Sequence, residues 1–161
     1  MTGDLLAFER PPVRQSTTVA ATRAHTFETF TGRLAQWWPL DPFSFGGSEQ
    51  IRMVTIEPRV AGDVVEHWHD GSQRVWGTLL TWDPPAGFSM TWNVTGEPTE
   101  VELRFVELEY RLTRVDLEHR GWERLTSAQL EAACALPGGY AGGAFNEGWA
   151  RILAAFEESI S

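Results

Sequence analysis

The side chains that could carry chemistry concentrate in residues 63–70, where a carboxylate at Glu66 lies next to imidazoles at His67 and His69. The segment has the apolar character of a strand, and successive side chains of a strand point to opposite faces. Glu66 therefore lies on one face and both histidines lie on the other. A carboxylate in an apolar setting suits a ligand anchor or a general acid/base, whereas two histidines on one face suit a metal ion.

The metal interpretation of His67 and His69 lacks a complete ligand set. The adjacent carboxylates point away from the histidine face, so a third ligand would have to come from distant His25 or His119. Solvent-facing histidines beside a hairpin are the simpler interpretation, and we expect neither a metal ion nor a cofactor.

Several other chemistries are excluded or disfavoured by residue type. All 13 basic residues are Arg, so no side chain can form a Schiff base and no Walker A motif is possible; codon usage in a GC-rich genome explains the missing Lys. Cys134 is the single cysteine and lies among Ala and Leu, which favours a structural thiol and excludes an internal disulfide. The G-x-S-x-G motif of serine hydrolases is absent.

Length and charge indicate one domain that does not bind nucleic acid. The 161 residues predict an N-terminal extension, residues 1–12, and a single domain, residues 13–161. The net charge of −9 and the scattered arginines disfavour nucleic acid and anionic membranes. No run of 18 apolar residues and no signal-peptide pattern occurs, so we expect no membrane insertion and a cytoplasmic location.

The elements that must position Glu66 are about seven short strands followed by one long helix. β-branched residues, alternation and turn signals such as Asp70-Gly71 predict strands at residues 13–20, 51–57, 63–69, 73–82, 88–94, 99–108 and 112–119. Thr22 can cap a helix that Gly32 ends, and residues 34–38 form a second helical turn. A capping box at residues 126–129 predicts a helix through Cys134.

The closing helix carries one apolar stripe. Its apolar residues are Phe145, Trp149, Ile152, Leu153, Phe156 and Ile160. A long amphipathic helix after an antiparallel sheet lies across the concave face of the sheet. Bulky aromatic side chains at that interface favour a ligand cavity, although plain core packing is the alternative for each single tryptophan.

Five motifs in a fixed order carry a family resemblance. They are QWWP at residues 36–39, IEPRVAG at 56–62, WG at 76–77 with WDPP at 82–85, TRVDLEHRGW at 113–122, and GW at 148–149. Ala61 replaces a glycine of the family pattern. The chain resembles the START-like, or SRPBCC, superfamily, in particular the bacterial branch related to the C-terminal domain of the activators of the heat-shock protein 90 ATPase.

The resemblance implies an α+β helix-grip fold, in which a curved antiparallel sheet wraps around the C-terminal helix with a cavity between them. It also implies that Glu66 faces this cavity with Val64 and Trp68, and that His119 follows Val115 and Leu117 inward. The expected ligand-binding residues are then Trp37, Trp38, Phe43, Glu66, Trp68, Trp92, His119, Trp122, Trp149 and Phe156.

Three functions remain open on this evidence. The favoured one is binding of a hydrophobic or aromatic small molecule by a monomer or homodimer. The first alternative is an aromatase or cyclase that uses Glu66 and His119 as acid and base. The second is a protein-interaction module of the chaperone-activator kind, which would need an exposed apolar patch. For Glu66, a structural role with an Arg or a backbone amide is the alternative to all three.

Overall fold

The computed structural model describes residues 11–93, 98–126 and 144–160. Within these residues, seven strands form one antiparallel sheet in the order β1-β7-β6-β5-β4-β3-β2. The strands are β1 Val13–Val19, β2 Ile51–Ile56, β3 Asp63–Trp68, β4 Gln73–Asp83, β5 Gly87–Trp92, β6 Thr99–Glu109 and β7 Leu112–Arg120. The first strand thus pairs with the last, and the sheet curls around the C-terminal helix, Ala144–Ile160.

Three short helices separate β1 from β2, and one long helix follows the sheet. They are α1 Arg23–Gly32, α2 Leu34–Trp37, α3 Gly47–Gln50 and α4 Ala144–Ile160, with a 3-10 turn at Trp122–Arg124. Thr22 caps α1 by accepting a hydrogen bond from the His25 amide at 3.2 Å, which satisfies one of the free amides of the first turn.

Strand β4 is long because its two halves pair with different neighbours. Residues 73–78 pair with β3, residues 79–83 pair with β5, and the register shifts at both pairings. Gly77 lies at this transition, where a Cβ would come within 1.7 Å of the Thr91 carbonyl oxygen. Only glycine permits such a close approach of two backbones.

The core lies between the concave face of the sheet and α4. Phe156 of α4 is fully buried, and its ring lies 5.0 Å from that of Phe30 and 4.9 Å from that of Trp37. Leu153 and Ile152 are buried beside it. The apolar stripe of α4 therefore packs against the sheet and the two short helices α1 and α2.

The structure confirms the α+β helix-grip fold that the sequence predicts. The strand bounds agree to within one or two residues, and α4 follows the predicted stripe. The short helix α3 was not predicted. The helix predicted from the capping box, with Cys134, and the end of the predicted fifth strand at Val94 lie outside the described residues. None of the described helices is long and apolar enough to span a bilayer.

Candidate functional site

Four tryptophans from four parts of the chain meet in the interior between the sheet and α4. The ring of Trp38 lies 4.9 Å from Trp76 on β4, 6.2 Å from Trp92 on β5 and 5.9 Å from Trp149 on α4. They surround a small apolar cavity of about 20 Å³. The cavity is lined by Phe30, Leu34, Trp38, Ile56, Val64, Trp76, Phe88, Met90, Trp92, Val101, Leu103 and Trp149.

This cavity is too small for an organic ligand. Pockets for drug-sized molecules measure roughly 300–1,000 Å³, whereas a volume of about 20 Å³ has room for little more than one water molecule. The aromatic interior is therefore packed in this structure, and a ligand could occupy it only after part of the surrounding structure has moved.

Glu66 lies at one end of the aromatic interior and is fully buried. Its Oε1 accepts hydrogen bonds from the Phe45 amide at 2.9 Å and from Trp76 Nε1 at 2.7 Å. Its Oε2 accepts from the Gly46 amide at 2.8 Å and from Trp68 Nε1 at 2.7 Å. A carboxylate has about four acceptor positions, so these four donors saturate it without an arginine partner.

His119 lies beside Trp92 and Trp149 and is also fully buried. Its Nδ1 accepts a hydrogen bond from Trp149 Nε1 at 2.9 Å, and its Nε2 lies 2.7 Å from Thr99 Oγ1. An indole N–H can only donate, so Nδ1 carries no proton and Nε2 of the neutral ring donates to Thr99. Burial lowers the pKa of His119 to about 3, because the charged ring would lose its hydration.

Among the described residues, Glu66 and His119 share no hydrogen-bonding partner. Two aromatic rings lie between them, since the ring of Trp92 is 5.9 Å from Trp76, which bonds Glu66, and 6.3 Å from His119 itself. Each group has its own set of donors and acceptors. A joint acid/base role would require these hydrogen bonds to rearrange around a bound molecule.

The residues expected at the ligand site fall into three groups in the structure. Trp38, Trp92 and Trp149 line the cavity. Trp37, Trp122 and Phe156 are buried in the packed core beside it, and His119 joins Trp122 to Trp149. Glu66, Trp68 and Phe43 lie around the segment that connects α2 to α3.

Sequence reasoning missed Trp76 and the two backbone amides that bond Glu66. The sequence did contain a signal for Trp76. The Asp70-Gly71 hairpin pairs Arg74 with Glu66 across the two strands, so these two side chains share a face of the sheet. Trp76 follows Arg74 by two residues and therefore lies on that same face. The sequence contains no comparable signal for the amides of Phe45 and Gly46, since every residue except proline supplies a backbone N–H group.

A second concavity lies on the outer face of the sheet and measures about 450 Å³. Its charged side chains pair with one another. Arg104 bonds Glu102 at 2.8 Å, and Arg14 bonds Glu118 at 2.9 Å. Small-molecule sites bury most of the surface of their ligand. An open surface with paired charges buries less of a ligand than the aromatic interior would, so it is the weaker candidate site.

Solved structures similar to this chain share its architecture. The anthrahydroquino-γ-pyrone synthase Txn09, solved in a complex with SUM, is 34% identical over 94% of this chain and 98% of that protein, with a TM-score of 0.58. The self-sacrificing resistance protein CalC from Micromonospora echinospora is 23% identical over 93% and 94%, with a TM-score of 0.62. The Aha1 dimer from Colwellia psychrerythraea is 13% identical over 94% and 96%, with a TM-score of 0.61.

The fold and these similarities together define the class of the protein. It is a helix-grip domain whose aromatic interior lies between a curled sheet and its C-terminal helix. The identity to Txn09 over nearly the whole of both chains shows that the chain belongs to the START-like, or SRPBCC, superfamily. The likeness to CalC and to Aha1, at lower identity, concerns the fold. No family profile and no curated protein matches the chain.

Proposed function

We propose that this protein binds a fused aromatic small molecule bearing phenolic or quinone oxygens between the sheet and α4. The observation that carries the proposal is the apolar interior cavity walled by Trp38, Trp76, Trp92 and Trp149. Flat indole rings offer large apolar faces on which a planar ligand can stack. The name of the synthase that is 34% identical, which refers to a fused aromatic γ-pyrone, supports this ligand class.

Calorimetric titration with the hydroxylated anthraquinone emodin tests the proposal. We expect one molecule to bind per chain with a dissociation constant of ~10 µM or tighter, and palmitate to bind at least ten times more weakly. Trp149→Phe, which alters the cavity wall, should weaken emodin binding at least tenfold. Trp82→Phe is the matched control, because Trp82 packs against Phe27 and Phe88 and does not line the cavity.

The binding proposal fails if emodin and the unsubstituted anthraquinone and flavone skeletons give no heat with the wild-type protein. It also fails if Trp149→Phe and Trp82→Phe weaken binding equally, since the ligand would then lie elsewhere.

Ring-forming catalysis is a second candidate, favoured by the synthase activity named for the similar structure. In a γ-pyrone closure, a phenol oxygen attacks a carbonyl carbon, a base takes the phenol proton, and the former carbonyl oxygen becomes the hydroxyl of a hemiketal. The hemiketal then loses this hydroxyl and a proton of the neighbouring carbon as water, which forms the C=C bond of the pyrone. His119 is neutral and could accept a proton once a ligand displaced the Trp149 indole, while Glu66 could act in the same way once a donor left it.

The catalytic candidate is tested with an ortho-hydroxyaryl β-diketone, which closes to a γ-pyrone by loss of water. If the protein is a ring-forming enzyme, closure should be at least a hundredfold faster with the protein than in buffer, and His119→Gln should remove the acceleration while emodin still binds. Closure at the buffer rate, with emodin bound normally, would leave binding as the function.

A further inference from the structure

A ligand of three fused rings cannot enter a cavity of about 20 Å³ unless a covering element moves. The helix α4 is one cover, and its Ile152, Leu153 and Phe156 are 3%, 2% and 0% exposed. Lifting α4 would return these side chains to water, which the hydrophobic effect opposes for each of them. The helix is therefore a poor candidate for the moving part.

A second candidate is the segment between α2 and α3, residues 39–46, which we call the entrance loop; its hydrogen bonds connect it to two walls of the cavity, Trp38 directly and Trp76 through Glu66. Asp41, Pro42 and Phe45 in it are exposed, and Phe43 is only half-buried. Hydrogen bonds hold the loop in place, among them one from Trp38 Nε1 to the Phe43 carbonyl at 2.7 Å. Segments with few buried apolar contacts open at a lower free energy than the core of the same protein.

Glu66 is the strongest connection between the entrance loop and the aromatic interior. Each carboxylate oxygen bonds one loop amide and one indole: Oε1 bonds Phe45 and Trp76, and Oε2 bonds Gly46 and Trp68. Hydrogen bonds to an ionised acceptor are about twice as strong as those between neutral groups. Trp76 is also a wall of the cavity, so the carboxylate joins the loop directly to that wall.

Gly46 fits this junction because it has no side chain. A Cβ at this position would lie 2.6 Å from Trp68 Nε1, the atom that donates to Glu66. A methyl group there would push the loop away from the indole, or the indole away from the carboxylate.

We propose that the entrance loop is the gate of the ligand cavity and that Glu66 is the positioning residue that latches it. Release of the Phe45 and Gly46 amides from the carboxylate frees the loop from Trp76 and uncovers the cavity between Trp38 and Trp76. The gate rests on the proposed function, because it presupposes a ligand that enters there. The latch itself is a property of the ligand-free protein and can be measured without a ligand.

Native-state hydrogen exchange measures the latch. The readout is the protection of the Phe45 amide relative to the Phe105 amide, which bonds the Ala86 carbonyl at 2.8 Å in the sheet. In Glu66→Gln, the carboxamide N–H₂ group faces N–H donors whose hydrogen bonds the carboxylate accepted. The ratio of Phe45 to Phe105 protection should therefore fall at least tenfold. Gly46→Ala should give the same change with the carboxylate intact, and it serves if Glu66→Gln does not fold.

Thr78→Val is the matched control. It removes one partly buried side-chain hydrogen bond, from Thr78 Oγ1 to Asp63 at 2.8 Å. Both of these residues lie outside the entrance loop. The ratio of Phe45 to Phe105 protection should stay within twofold of the wild type. An unchanged ratio in both Glu66→Gln and Gly46→Ala would overturn the latch.

Stopped-flow tryptophan quenching by emodin measures the gate. Gly46→Ala should raise the association and dissociation rate constants at least fivefold each, with the dissociation constant changed less than threefold, and Thr78→Val should leave both rates unchanged. Glu66→Gln should also raise the association rate constant at least fivefold. Lower protection of Phe45 without faster association would mean that the loop opens but is not the entrance, which overturns the gate. If emodin binds neither the wild type nor any of the variants, the proposed function and the gate both fail. The ratio of Phe45 to Phe105 protection still decides whether the latch exists.

Discussion

At the scale of single residues, the two fully buried ionisable side chains among the described residues use their hydrogen-bonding capacity within the protein. His119 is held neutral between Trp149 and Thr99, and Glu66 is held by four N–H donors. Among the described residues, no buried side-chain nitrogen or oxygen lacks a hydrogen-bond partner. The polar atoms of a ligand would therefore have to displace existing partners, whereas its apolar rings would only have to displace packed side chains.

The buried histidine should make stability depend on pH in a defined direction. The pKa of His119 is about 3 in the folded protein, against an ordinary value of 6.5, so below pH 6.5 the unfolded chain takes up a proton that the folded chain refuses. The stabilisation is complete above pH 6.5 and is lost as the pH falls towards 3. Between pH 7 and pH 5, the wild type should lose about 2 kcal/mol more unfolding free energy than His119→Gln.

Urea unfolding of both proteins at the two pH values measures this difference. Carboxylates titrate alike in the two proteins and cancel. Equal losses would show that His119 takes up a proton in the folded protein as readily as in the unfolded chain, contrary to its assignment as a buried neutral ring.

Gly77 is the glycine whose replacement should be most costly to the sheet. Its Cβ would overlap the Thr91 carbonyl oxygen at 1.7 Å, so β4 and β5 would have to separate. We expect Gly77→Ala to lower the unfolding free energy by about 3 kcal/mol. Gly32→Ala is the control, since no atom lies within 4 Å of its added Cβ, and it should be neutral or stabilising by up to ~1 kcal/mol. Equal effects in chemical unfolding would contradict the close approach.

At the scale of elements, α4 is held by its apolar stripe, with Phe156 at its centre. Phe156→Ala should lower the unfolding free energy by about 3–5 kcal/mol, because the side chain is fully buried among aromatic rings that cannot close the gap. Ala154→Gln, on the exposed side of the same helix, should change it by less than ~0.5 kcal/mol. A loss below ~1 kcal/mol for Phe156→Ala would mean that the helix is loosely docked.

The elements were predictable where one local rule decides them. Alternation and the Asp70-Gly71 turn predicted β3 and β4, where Gly71 adopts φ of 90°, and the apolar stripe predicted α4. The one-turn helix α3 was missed because four residues, Gly47–Gln50, carry no periodic pattern. Family resemblance was needed to choose the inner face of β3, since Val64 and Val65 are equally apolar.

The candidate site was less predictable than the fold. The tryptophan wall followed from residue type, but the partners of Glu66 include two backbone amides that only the path of the chain brings to it. The size of the cavity depends on how closely Trp38 and Trp76 pack, and no pattern in the sequence sets that distance.

At the scale of the whole molecule, the sheet and α4 enclose a packed aromatic interior. A ligand that enters this interior must replace contacts between indole rings with contacts of its own. Because the interior exists only in the folded protein, such a ligand binds the folded state and not the unfolded chain. Emodin at a hundred times its dissociation constant should raise the unfolding free energy by about 2.7 kcal/mol. Urea unfolding with and without emodin measures this, and an unchanged midpoint at that concentration would contradict binding to the folded state.

The position of the ligand can be read from the tryptophans themselves. All eight tryptophans lie in described parts of the chain, so a ¹⁵N-labelled sample should give one indole N–H signal for each. On titration with emodin, we expect the signals of Trp38, Trp76, Trp92 and Trp149, which wall the cavity, to shift strongly, and that of Trp82 to stay within its line width. Saturating emodin that leaves the four cavity signals in place, or moves Trp82 as much as them, would contradict a ligand site between the sheet and α4.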